Sequence, residues 1–208
     1  MLHKIRTFLF SLLAVSMAQT ASATLIDVGS QEATFGGLTR GFYFVAPTDF
    51  TIIGLGVATD ASTDNFDVSL IRLNVTPPAF AANTTDFSTL FLSRDNAGAG
   101  LVATDIDIFS GDIIGVLGSR GPNSTNSYGA AAYMSSILGF DVTLNRLLMQ
   151  GDLRTTDPSA IGVSTEDFFI GRVLVDVEAS SPVPTPATLA LFGLGLVGLG
   201  WSRRRPRS

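Results

Sequence analysis

Between residues 39 and 177, short β-branched and aromatic runs alternate with Gly, Asn, Asp and Pro, and this spacing is the strongest constraint on the fold. A three-turn helix needs about 11 uninterrupted residues. The interruptions leave room mainly for strands, and the turn residues between them supply the backbone conformations that turns need. The runs are 39–46, 49–58, 66–75, 87–93, 101–108, 112–118, 141–149 and 168–177, with a short one in Leu25–Gly29. Within 66–75 the residues alternate: Phe66, Val68, Leu70 and Arg72 fall on one face, Asp67, Ser69, Ile71 and Leu73 on the other. The stretches 94–100 and 118–130 read as loops, and 130–139 reads either as a short helix or as a strand near a sheet edge. Eight to nine short strands without a long helix predict an all-β fold, a single β-sandwich. The pattern looks like that of the jelly-roll sandwiches found among secreted sugar-binding modules.

Both ends of the chain differ from this middle. Residues 1–23 begin with His3, Lys4 and Arg6, continue through an apolar stretch from Phe8 to Val15, and close on Ala21-Ser22-Ala23. That order predicts a secretory signal peptide cut after Ala23. Residues 181–208 open with a Pro-rich hinge, pass into an apolar run from Ala187 to Trp201, and finish with Arg203, Arg204, Arg205 and Arg207. As a helix the run is roughly 22 Å long, short for a bilayer unless the membrane thins locally. The arginines hold its end on the cytoplasmic side, with the β domain (residues 24–180) exported. Gly193, Gly195 and Gly198 fit a dinucleotide fingerprint, but no strand precedes them and arginines follow, so this is a chance match in an apolar segment.

The order of hinge, apolar helix and arginine cluster resembles the PEP-CTERM sorting signal of Gram-negative bacteria. In that family the motif reads Val-Pro-Glu-Pro, and an exosortase, a membrane protease, processes the tail. Here Val183, Pro184, Thr185 and Pro186 occupy its place, with Thr185 where the family has Glu. The resemblance implies an exported protein anchored through its C-terminal helix before processing, then found at the cell surface or outside the cell. It implies sorting and no particular activity. A plain membrane anchor is the simpler reading of the same residues.

Composition excludes much chemistry. There is no Cys, and the single His and single Lys, His3 and Lys4, lie in the leader. A mature domain therefore has no His-based triad, no His/Cys zinc site and no Schiff-base lysine. Residues 24–181 hold all 18 acids and seven arginines, a net charge of 7 − 18 = −11, which speaks against nucleic acid as a partner. Two chemistries remain: paired carboxylates and oxygen-ligated calcium. Asp105 and Asp107 alternate with isoleucines and share one strand face about 6.5–7 Å apart, as any strand with a wet face would arrange them. Asp60, Asp64 and Asp67 lie in a loop that reads as solvated and also offers oxygen ligands for a structural calcium; no other cofactor is expected. Glu166-Asp167 reads as a solvated turn.

One stretch has the make-up of a ligand surface. Arg120, Asn123, Asn126, Tyr128 and Tyr133 combine rings for a sugar's C–H face with donors for its hydroxyls. The alternative is that Tyr133 packs in the core and Tyr128 is an ordinary loop residue. The acidic charge favours a neutral polysaccharide. The expectation is thus an exported cell-envelope or extracellular-matrix protein with a non-catalytic β-sandwich that binds exopolysaccharide; the competing one is a carboxylate-dependent glycan-acting enzyme.

Overall fold

A computed structural model describes residues 23–131, 133–163 and 169–180. The expected leader, the C-terminal helix, the sorting motif and Glu166-Asp167 lie outside them. The strands are β1 (Thr24–Leu25), β2 (Ala33–Phe35), β3 (Arg40–Val45), β4 (Phe50–Val57), β5 (Phe66–Leu73), β6 (Phe87–Asn96) and β7 (Val102–Ile108). They continue with β8 (Ile113–Arg120), β9 (Asn126–Ala131), β10 (Tyr133–Ile137), β11 (Phe140–Met149), β12 (Ile161–Gly162), β13 (Phe169–Gly171) and β14 (Val173–Ala179). The described residues contain no helix, so none there is long and apolar enough to cross a membrane.

Three antiparallel sheets form. One has the order β1-β14-β4-β7, a second β10-β11-β3-β8-β5-β6 with β12 beside β11, and a small third β13-β9-β2. The principal core draws on the first two: Phe50, Ile52, Leu55, Val173, Val175 and Val177 from one, and Phe42, Phe44, Phe66, Val68, Leu70, Ile114 and Val116 from the other. Each such fully buried side chain contributes about 1.5–3 kcal/mol. The alternation in β5 is the one read from sequence. Phe66, Val68 and Leu70 enter this core, while Ile71 and Leu73 enter a second one with Leu117, Leu147, Met149, Leu153 and Ile161. That second core lies on the other face of the β3-β8-β5 sheet. Its lid is tied down where Thr84 and Ile161 exchange backbone hydrogen bonds and Val163 N donates to Pro78 O.

Three local expectations change. The stretch 118–130 is not a loop: β8 runs on to Arg120 and β9 begins at Asn126, joined by reciprocal Arg120–Thr125 backbone bonds. Its Gly, Ser and Asn content looks turn-like, yet Ser119 and Ser127 are buried strand residues. The single run 168–177 is two strands in different sheets, broken at Arg172. The third sheet was not foreseen, because its strands are short and pair only with one another. It abuts the large sheet so closely that a Cβ on Gly171 would stand 2.7 Å from Gly41 N and 2.8 Å from Arg40 C, so only glycine fits there. The ambiguous 130–139 segment supplies β10, at the edge of the large sheet.

Candidate functional site

The five residues expected to form a sugar surface have separate sets of partners, and most are turned inward. Arg120 is 1% exposed. Its Nε donates to Val57 O (3.0 Å) and Ala58 O (3.1 Å), Nη1 to Asp64 O (2.6 Å) and Gly98 O (3.0 Å), and Nη2 to Val57 O (2.5 Å). The guanidinium lies 5.0 Å from the centre of the Phe66 ring. Burial pulls its pKa below the ordinary value, and the nearby Asp60 and Asp64 oppose that pull. Arg120 therefore binds three loop segments together and has no donor directed at solvent.

Asn126 is likewise buried. Its Oδ1 accepts from Arg40 N (3.0 Å) and its Nδ2 donates to Leu38 O (2.8 Å) and Ser124 O (2.6 Å). Tyr128 is buried in an aromatic stack, with ring centres 5.9 Å from Phe35 and 6.3 Å from Phe169. Arg146 lies 4.9 Å over the Tyr128 ring, and its Nη2 donates to the phenol oxygen (2.9 Å). Burial raises the Tyr128 pKa. Arg40 completes the group, 4.7 Å over Phe35, with Nη1 donating to Thr39 O and Met149 O. No local sequence pattern distinguishes these two arginines; pairing across β3 and β11 aligns them.

Only Asn123 and Tyr133 of the five keep accessible surface. Tyr133 donates its hydroxyl to Asp27 Oδ2 (2.7 Å), and its ring covers Gly29. Asp27 accepts from Gly29 N as well, and the two donors, the backbone one first, hold its carboxyl below the usual carboxylate range. The ring is half-buried and packs against the principal core.

The acidic candidates also separate. Asp60 pairs with Arg172, Asp64 accepts from Ser62 Oγ (3.0 Å), and Asp67 is fully buried with Oδ1 accepting from Asp95 N (2.8 Å). Among the described residues no three acidic, His or Cys side chains are grouped to hold a metal. Asp105 and Asp107 do share the exposed face of β7, where Asp107 Oδ1 accepts from Thr51 Oγ1 (2.9 Å). They stand on an edge strand.

The comparison with known families bears on the tail. Residues 182–205 match the family model of the PEP-CTERM protein-sorting motif, the span in which Val183, Pro184, Thr185, Pro186, Arg203, Arg204 and Arg205 fall. The Thr at 185 does not prevent the match. A motif of this kind implies export and sorting by an exosortase, a membrane enzyme. No curated protein and no solved structure matches the chain.

Proposed function

We propose that this chain is a surface or extracellular-matrix protein whose β domain, a sandwich of the two larger sheets, is a non-catalytic structural module delivered by its sorting tail. The observation that carries the reading is the sorting motif at 182–205, placed directly after the last strand of an all-β domain. Supporting a non-catalytic role, four of the domain's seven arginines pair with aspartates: Arg72 with Asp112, Arg94 with Asp157, Arg154 with Asp95 and Arg172 with Asp60. A domain without Cys holds together without disulfides, which suits an exported module independent of the redox state around it. The role is display or scaffolding rather than recognition of a neutral polysaccharide through 118–133, because Arg120, Asn126 and Tyr128 are committed to the interior.

The test is processing in cells with and without the exosortase. With the enzyme, intact-mass measurement of the surface-released form should show loss of both the leader and the arginine end. Without it, the chain should stay in the membrane fraction with the arginine end intact. Identical mass and location in both backgrounds refutes the sorting role.

A further inference from the structure

The point at which the tail leaves the domain has an unusual surface. Ala179, Phe50 and Ile108 lie side by side across β14, β4 and β7 and mark one end of the sheets. Thr24 pairs with Val177, so β1 starts at this end too. β3 runs to the same end and stops at Val45, opposite Ile113. The β7–β8 turn closes there, with Asp112 N donating to Phe109 O and Ala46 N to Asp112 O. β5 finishes beside Ile113, two residues before Val75, and β11 begins with Phe140. Four large apolar side chains are therefore exposed at this end: Val45 (53%), Val75 (53%), Phe109 (57%) and Phe140 (53%). Among the described residues this class also includes Leu25, Phe80 and Met134, and at the opposite end Leu101, which lies over Gly54 and Gly56.

The chain that follows Ala179 says what meets this surface. Seven residues separate Ala179 from Ala187, where the apolar run of the sorting tail begins, and the eight steps across them span at most about 28 Å. A tail held in a bilayer keeps this end beside the lipid at high effective concentration, so weak intrinsic affinity suffices for contact. The same end carries Asp49, Asp141 and Glu178, which repel a strongly anionic surface and leave a weakly charged one as the matching partner.

We propose that this end of the domain is a membrane-docking face. Phe109 and Phe140, flanked by Val45 and Val75, enter the interfacial layer of a weakly charged leaflet and stand the strands upright on it. Apolar side chains of this kind reach about 5–10 Å into the headgroup boundary. Docking also keeps Val183–Pro186 at the membrane surface, where a membrane protease works. The inference rests on the sorting reading, since the tail supplies the tether.

The absence of Cys makes the test direct. Leader-free chain, residues 24–208, carrying Ser110→Cys, beside Phe109, or Ala99→Cys, at the opposite end, is labelled with a fluorophore and reconstituted into phosphatidylcholine vesicles. Flotation reports the tail, and quenching by a lipid-borne quencher reports docking. The label at 110 should be quenched at least about fivefold more than the label at 99. Adding Phe109→Ser and Phe140→Ser should bring 110 down to the level of 99, with flotation and circular dichroism unchanged. Phosphatidylglycerol should weaken quenching at 110. Equal quenching at 110 and 99 in chain that floats overturns docking and leaves anchoring intact, and failure to float overturns both. Quenching that survives the double serine variant, or that rises with protein-to-lipid ratio as self-association requires, also overturns the proposal.

Discussion

Replacing Arg120 by Met keeps much of the side chain's length and apolar stem but deletes every donor. Five hydrogen bonds to four carbonyl oxygens then vanish. Asp64 and Gly98 lie at exposed positions, and water can replace the guanidinium there at little cost. Val57 and Ala58 are buried, and leaving their carbonyls without that donor costs about 1–3 kcal/mol each. The lost contact with the Phe66 face adds about 1 kcal/mol. Against this, a buried cation no longer has to be desolvated, which returns part of the loss. The net expectation is destabilisation by about 3–4 kcal/mol, a large share of a domain's typical 5–15 kcal/mol. Arg120→Lys should recover less than half, because a compact ammonium cannot reach four dispersed carbonyls at once. Urea unfolding followed by circular dichroism measures both variants. If Arg120→Met falls within about 1 kcal/mol of wild type, the guanidinium is not what joins these loops and the argument fails.

Asp67 is fully buried and its Oδ2 has no partner, as is true of Ser119 Oγ on the paired strand. Burial raises its pKa, opposed by the Asp95 N–H and by Arg154, while Asp152 and Asp95 add to the rise. A raised folded-state carboxyl pKa costs nothing below the unfolded value of about 4 and becomes a penalty as pH climbs through the folded one. Asp67→Asn should therefore stabilise the protein by about 1 kcal/mol at pH 7 and be near neutral at pH 3, as read from the urea midpoint against pH; a variant equally or less stable at pH 7 contradicts the account. Gly171→Ala should cost more than about 2 kcal/mol, since its Cβ meets backbone that cannot move alone. Gly98→Ala, at φ +81° with nothing within 4 Å, should cost only about 1 kcal/mol; equal thermal shifts for the two would show that the third sheet does not press on the large one.

The β character of the domain and the face assignment of β5 were legible in residue order, because strand alternation and turn chemistry act over a few neighbours and need no distant partner. The sorting tail was legible for the same reason: hinge, apolar run and arginines follow one another along the chain, and the motif survives Thr185. That the chain has no Cys, and that its single His and single Lys both lie within the first four residues, needed only composition. The interior was another matter. Arg120, Asn126 and Tyr128 have the chemistry of a binding loop, and what turned them inward was β8–β9 pairing and the arrival of carbonyls from residues 57, 58, 64 and 98, some 20 to 60 positions away. A guanidinium in water and one among carbonyls are the same letter in a sequence. The gathering of Val45, Val75, Phe109 and Phe140 at the end where Ala179 leaves is of the same kind. These residues stand in four separate stretches, and only the antiparallel register brings them to one surface, because strand direction decides which ends meet.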